Sequence, residues 1–183
     1  AKTLVNQNVV AIMGADCSGV TKAIAENVAV PNGVVMISPS ATSPSLTDIN
    51  DNGFFFRTAP SDKRGGQILA DITKDRKIKS VAITYENSDY GKGLSENVQL
   101  GLKAHGIKIT ANIAHENGKA DYASEVATLA SAGGDALAVL GYADQGGKGI
   151  IQAALDSGAF DTFILGDGMI AKSLVATFGK DLN

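Results

Sequence analysis

Ser80-Val81-Ala82-Ile83-Thr84-Tyr85-Glu86-Asn87-Ser88-Asp89-Tyr90-Gly91-Lys92-Gly93 is the stretch on which the fold turns. Its first five residues form an apolar run of the kind buried on both faces of a parallel sheet. Tyr85 to Gly93 is polar and carries two aromatic rings, and Leu94 to Gly101 has the spacing of a helix, with Leu94, Val98 and Leu102 on one face. A polar loop at the carboxyl end of a strand is where open α/β sheets hold ligands. The same strand–polar loop–helix order recurs at Met13 to Ser18, Ile37 to Thr42, Leu140 to Asp144 and Leu165 to Gly168. Repeated loops of this kind, with no catalytic signature among them, predict a binding cleft rather than an active site.

Working outward, short Val- and Ile-rich strands are expected at Val9–Met13, Val34–Ile37, Phe54–Arg57, Val81–Tyr85, Ile107–Ile113, Ala136–Gly141 and Thr162–Leu165. Helices are expected at Ser18–Ala29, Asp62–Lys77, Gly91–Ala104, Tyr122–Ser131, Gln145–Ser157 and Ala171–Phe178. Gly106, Gly133 and Gly158 stand where helices end. Alternating β and α elements give an α/β chain with parallel sheets flanked by helices. Pro39 to Phe54, with Pro39, Pro44 and Asn50-Asp51-Asn52, has no helical period and reads as an ordered loop. Thr58-Ala59-Pro60-Ser61-Asp62 reads as a hinge: Pro60 holds the residue before it extended, and Ser61 or Asp62 can cap the next helix. The boundary predicts a first lobe over 1–58 and a second over 59–183. About three strands and one helix bury too little core to stand alone, so the first lobe is expected to be incomplete or to lean on its neighbour.

The chain has 183 residues, 44% of them hydrophobic and 19% charged, which places it among globular proteins. Its net charge of −3 gives no signature for nucleic acid or an anionic membrane. The lone cysteine, Cys17, cannot make an internal disulfide or a Cys-based zinc site. It is a small hydrophobe, a free thiol, or half of a bridge to something outside this sequence. No apolar run approaches the ~20 residues that span a bilayer.

Enzyme signatures are weak. No Gly-x-Ser-x-Gly elbow is present, since Asp16 stands two positions before Ser18. His105 and His115 fall at a helix end and a strand end, away from the polar loops, and read as structural or surface groups. Gly146-Gly147-Lys148-Gly149 lacks the leading Gly and following Ser or Thr of a P-loop. Gly166-Asp167-Gly168-Met169-Ile170-Ala171 fits a dinucleotide pattern opening a helix, a weak signal, since the acidic partner expected about 20 residues on would fall past Asn183, the last residue given. No His, Cys and acid set has metal-ligand spacing. Neither a cofactor nor a metal is expected.

The loops suit a small zwitterion better. Such a ligand needs donors for a carboxylate and an anionic acceptor for an ammonium, and a helix amino terminus supplies the former. Ser18 and Thr21 stand at such a terminus, although Ser18 can equally serve only as an N-cap. Ser38 to Pro44 adds hydroxyls and exposed backbone, or forms a plain turn. Asp167 can hold the ammonium or cap a helix, with Asp144 as a substitute. Tyr90 and Tyr142 can wall a pocket or simply pack, each ring having an apolar face and one polar tip.

These segments resemble the periplasmic solute-binding proteins of the branched-chain amino acid transport family, which have the type I two-lobed fold. The likeness is carried by Val9-Val10-Ala11-Ile12-Met13-Gly14, Cys17-Ser18-Gly19-Val20-Thr21, Ile37-Ser38-Pro39-Ser40-Ala41-Thr42-Ser43-Pro44, Phe56-Arg57-Thr58-Ala59-Pro60-Ser61-Asp62 and Asp89-Tyr90-Gly91-Lys92-Gly93. Asp121-Tyr122, Asp135-Ala136, Gly141-Tyr142 and Gly166-Asp167-Gly168 continue it in order. The resemblance implies that both lobes are incomplete here, since family members are much longer. It implies that Ser18, Thr21, Ser40, Ala41 and Thr42 hold an amino acid's polar head from the first lobe. It also implies that Tyr90, Tyr142 and Asp167 close from the second, with Asp167 on the ammonium. Cys17 matches a position that some members bridge to a cysteine in an opening part absent from this sequence. The implied protein is a non-enzyme of the periplasm that captures an amino acid or related small solute and delivers it to the membrane permease of an ABC transporter. A ligand-sensing domain of a receptor or regulator on the same fold is the alternative, and a dinucleotide-using enzyme built on Gly166 to Ala171 is a third.

Overall fold

A computed structural model describes residues 1–182. The strands fall into two sheets. In the first, β1 (Ala11–Met13), β2 (Val35–Ser38) and β3 (Phe55–Arg57) pair in that order, all parallel. In the second, β4 (Ser80–Glu86), β5 (Lys108–His115), β6 (Ala136–Leu140) and β7 (Phe163–Leu165) lie in the order β5-β4-β6-β7, again all parallel. All seven expected strands form, with ends shifted by a residue or two. The helices are α1 (Lys2–Val5), which the sequence reading did not anticipate, then α2 (Ser18–Ile24), α3 (Asp62–Asp75), α4 (Asp89–Ala104), α5 (Ala123–Ala132), α6 (Gly147–Ser157) and α7 (Lys172–Phe178).

Three expected helices differ in an instructive way. The one expected over 18–29 is α-helical only to Ile24. It widens to a π turn over Ala25–Ala29 and tightens to a 3-10 turn over Val30–Asn32. Pro31 carries no amide hydrogen to continue the ladder, and Gly33 ends the run at φ 64°. Helix α4 begins two residues early because the Ser88 hydroxyl accepts the Gly91 N–H at 3.1 Å. The helix expected from Gln145 is a 3-10 turn (Ala143–Gln145), a break at Gly146 (φ 138°) and then α6. A side chain at Gly146 would lie 2.7 Å from the Tyr122 hydroxyl, so the chain can bend there only without one.

Two apolar clusters cover the faces of the second sheet. Helices α5 and α6 place Val126, Leu129, Ile150 and Ile151 against Leu137 and Val139. Helices α3 and α4 place Ala70, Leu94, Val98 and Leu102 against Val81, Ile83, Ala138 and Leu140. Helices α3 and α4 cross closely through small residues: a Cβ on Gly66 would meet the Asn97 backbone at 2.6 Å, and one on Gly101 would meet Ala70 Cβ at 2.5 Å. A third cluster, with Ala25, Ala29, Met36, Ala41, Leu46 and Phe55, covers one face of the first sheet. Between the sheets the chain runs through 58–61. The Thr58 N–H donates to the Ser38 carbonyl at 3.0 Å and the Asp62 N–H to the Thr42 carbonyl at 2.9 Å. Ser61 caps α3 by accepting from the Lys63 N–H.

No helix of the described residues is long and apolar enough to cross a membrane.

Candidate functional site

The carboxyl ends of the two sheets face each other. Gly19, in α2, stands so near Asp89 that a Cβ there would lie 3.6 Å from its carboxylate, and a Cβ on Gly93 would meet the Pro44 ring at 2.7 Å. Beside this approach lies a cavity of about 540 Å³. Pro39, Ser40, Thr42, Asp62, Leu94 and Asp167 are among its lining residues, so it draws on loops from both sheets.

The second sheet contributes a bonded cluster. The Tyr90 hydroxyl donates to Asp167 Oδ1 at 2.6 Å and accepts the Gly168 N–H at 3.1 Å. The Tyr90 and Tyr142 rings stack, with centroids 5.0 Å apart and planes inclined by 28°. Burial pushes both phenols above their ordinary range, and the neighbouring Asp167 carboxylate adds to the shift. Tyr142 also lies beside the Cys17 thiol of the first sheet's loop. Asp167 is exposed, and among the described residues nothing donates to its Oδ2.

On the other side, Thr42 Oγ1 donates to Asp62 Oδ2 at 2.9 Å. Asp62 is buried, and desolvation raises its pKa to about 6. The Thr42 bond and Arg57 work against that rise, and Asp167 adds to it. Sequence reading treated Asp62 only as a possible helix cap. Its signal was an acid in the first turn of a helix just after the proposed hinge. Arg57 at the end of β3 orders the Pro39–Phe54 loop: its guanidinium donates to the Ser43 carbonyl at 2.8 Å and to Thr47 Oγ1 at 2.6 Å.

The sequence-selected residues thus divide. Ser40, Thr42 and Asp167 line the cavity, while Tyr90 and Tyr142 stack beside Asp167. Ser18, Thr21 and Ala41 are buried in bonds of the first sheet's own loops. The Ser18 hydroxyl accepts the Ser43 N–H at 3.1 Å, the Thr21 hydroxyl donates to the Ala15 carbonyl at 3.0 Å, and the Ala41 N–H donates to Ser38 Oγ at 3.0 Å. Cys17, not Ser18, is the N-cap of α2. The bond that ties Ser18 to the next loop could not be read from local spacing. Asp144, the possible substitute for Asp167, instead pairs with Lys148 and Ser173.

Other expectations need correction. Gly166 to Ala171 does not open a helix directly: Asp167–Met169 form a 3-10 turn, Ala171 is the N-cap of α7, and the Gly168 N–H is used by Tyr90. Gly147 and Gly149 are small because Met169 and the Tyr122 ring lie against them. His115 is not remote from the polar loops. Its carbonyl accepts the Asn87 N–H, and its ring is buried at the end of β5 beside Gly141 and Gly146. His105 does sit at a helix end, where it bonds Asp71 at 2.6 Å.

The family model described as "Receptor family ligand binding region" matches residues 1–179. Leu/Ile/Val-binding protein homolog 1 of Brucella melitensis biotype 1 is 32% identical over 92% of this chain and 45% of its own length. The leucine binding protein LivK of Thermotoga maritima MSB8 superimposes with a TM-score of 0.86 at 25% identity, over 98% of this chain and 51% of LivK. An ABC transporter substrate-binding protein of Desulfitobacterium hafniense, solved in complex with Leu, gives a TM-score of 0.71 at 26% identity over 87% of this chain. The chain spans less than half the length of the curated relatives it matches. The match to LivK gives the α/β arrangement of parallel sheets flanked by helices as that of type I periplasmic binding proteins. With the family model covering nearly every residue, this chain belongs to the receptor family ligand binding region family.

Proposed function

We propose that this chain is the central part of an extracytoplasmic solute-binding protein that captures a branched-chain amino acid, or a close relative of one, between two lobes. The observation that carries the reading is the cavity between the sheets, with Ser40 and Thr42 on one side and Asp167, held by the Tyr90 hydroxyl, on the other. Supporting it, the Brucella relative is named for Leu, Ile and Val, and the Desulfitobacterium protein was solved with Leu. The lobes divide near 58–62, where Pro60 limits the linker and Ser61 starts α3. Asp167 Oδ2 takes the ligand ammonium, Thr42 and the loop around Ser40 hold the carboxylate, and Tyr90 and Tyr142 form the wall. Ser18, Thr21 and Ala41 hold that loop in shape and reach the ligand only if their present bonds rearrange. Contacts to both lobes at once shift the protein toward closure. The closed form is delivered to an ABC transporter permease in the periplasmic compartment. The chain acts by binding, with no reaction of its own.

Asp167→Ala in the full-length protein is expected to weaken leucine binding at least tenfold, since a hydrogen bond to a charged group is worth roughly 1.5–3 kcal/mol. Unchanged affinity in calorimetry would sink the assignment. The family description, which speaks of receptors, favours one second reading: the same pocket feeding a sensory domain. A fused signalling domain in the full-length protein would select it.

A further inference from the structure

Two buried polar side chains at the ends of β4 and β5, Glu86 and His115, are not used by the ligand reading. Glu86 ends β4 and His115 ends β5, and the two are register partners in the sheet. Gly141 follows β6, the strand on the other side of β4. Both side chains are almost wholly buried, at 5% and 1% exposure. Each is held on one side only. Glu86 Oε1 accepts from Asn117 Nδ2 at 2.9 Å, and His115 Nδ1 is bonded to Thr84 Oγ1 at 2.9 Å. The other ends, Glu86 Oε2 and His115 Nε2, are buried and bond neither to each other nor to any described residue.

The two unpartnered atoms converge. A Cβ built on Gly141 would lie 3.4 Å from His115 Nε2 and 3.5 Å from Glu86 Oε2. The same Cβ would crowd Glu86 Cβ at 3.0 Å, so a side chain at this position would take the space beside both atoms. Leaving a buried donor or acceptor unpaired is destabilising, and native proteins meet that cost with a partner. One water would bridge such a pair through two hydrogen bonds in series, a span of roughly 5.5–6 Å. Water suits the donor set: it can donate to the carboxylate and either accept from or donate to Nε2, whichever tautomer Thr84 selects. It needs two to four polar partners, and two stand ready. A metal ion would need more, and among the described residues no three His, Cys, Asp or Glu side chains converge.

We propose that Glu86 Oε2 and His115 Nε2, beside Gly141, form a binding site for one buried water molecule, which joins the ends of β4 and β5. The water completes the support of two loops. Asn87 is already tied to the His115 carbonyl at 3.0 Å, and Gly91 packs on the Glu86 backbone so closely that a Cβ there would meet its carbonyl oxygen at 2.2 Å. Burial lowers the His115 pKa to about 4, which keeps the imidazole neutral at neutral pH and able to serve such a bridge.

A high-resolution crystal structure of the full-length protein tests this. The expected result is one density peak at about 2.7–3.2 Å from both atoms, absent in Gly141→Ala. If that variant does not fold, His115→Phe, which removes Nε2 while keeping a ring, is read the same way. A direct Glu86–His115 bond, a peak with the short, many-oxygen shell of a cation, no peak at all, or a peak that survives both substitutions would each overturn the inference. The peak does not depend on ligand. A protein that shows it but binds no branched-chain amino acid or close relative would refute the proposed function and leave the water site standing.

Discussion

The two sheets are built from the same strand–loop–helix unit, yet they end with different burial. In the second sheet every residue of β6 is buried, because helix pairs cover both faces. In the first sheet the row Ile12, Met36 and Phe55 packs under the π turn Ala25–Ala29 and the Pro39–Phe54 loop. The neighbouring row on the opposite face, Met13, Ile37 and Phe56, is left open by the described residues of this chain, which spans less than half the length of its curated relatives, with Met13 87% and Phe56 54% exposed. Parallel sheets are normally covered on both faces. An apolar strand therefore supplies the capacity for burial, and the helices beside it decide how much of that capacity is realised. The same asymmetry reaches the cavity. Its second-sheet wall, Leu94, Gly166 and Asp167, rests on a fully packed core. Its first-sheet wall is held by side chains, Arg57, Ser18 and Ser38, reaching across to loop backbone.

The comparison can be broken by mutation. The largest expected effect is at its extreme ends. Leu137→Ala in β6 should cost about 2–5 kcal/mol, as for a core truncation, whereas Met13→Ala should change stability by no more than about 0.5 kcal/mol. Urea unfolding of the 183-residue chain reads both. Similar costs would show that the open face is buried in solution, and the contrast between the sheets would then fail.

Next in size is the crossing that supports the second sheet's cavity side. Gly66→Ala places a methyl group 2.6 Å from the Asn97 backbone and should destabilise by roughly 1–3 kcal/mol through overpacking. A variant of wild-type stability would mean that α3 and α4 can slide apart, and the rigid wall would be lost from the account.

A subtler effect comes from pH. Asp62 holds its proton more tightly folded than unfolded, so its contribution is full below about pH 4 and is lost as pH rises through about 6. His115, with its folded pKa lowered to about 4, runs the opposite way: its contribution is full above about 6.5 and is lost as pH falls towards 4. Each is worth up to about 3 kcal/mol. The two partly cancel over the shared window, so the wild-type profile there should be shallow. Asp62→Asn keeps an acceptor for Thr42 and removes one slope. Its stability should then rise more steeply than wild type from pH 4 to 6, with a net gain above pH 7. A thermal-shift series that shows parallel profiles would mean Asp62 is not desolvated in solution.

What could be read in advance follows from the range of the forces involved. The strands were legible because burial on both faces leaves continuous Val- and Ile-rich runs, and most helices because their apolar stripes and closing glycines are local. The π and 3-10 turns after Ile24 and the break at Gly146 were not legible, since a Tyr122 ring from elsewhere in the chain fixes the second. Among the candidate residues, Asp167 and the two tyrosines were found as polar or aromatic groups after strands. Their chemical types could be read; their bonding could not.

Periodicity and turn chemistry act between near neighbours, so the alternation of elements, the parallel sheets and the loops at the strand ends are written in the residues themselves. Which groups meet is settled by long-range packing. It tied Ser18 to Ser43, buried Asp62 against Thr42, joined Tyr90 to Asp167 across 77 positions, and turned Glu86 and His115 towards the same space beside Gly141. Those pairings depend on strand order and on the crossing of α3 and α4, which packing of distant segments sets and no local spacing encodes.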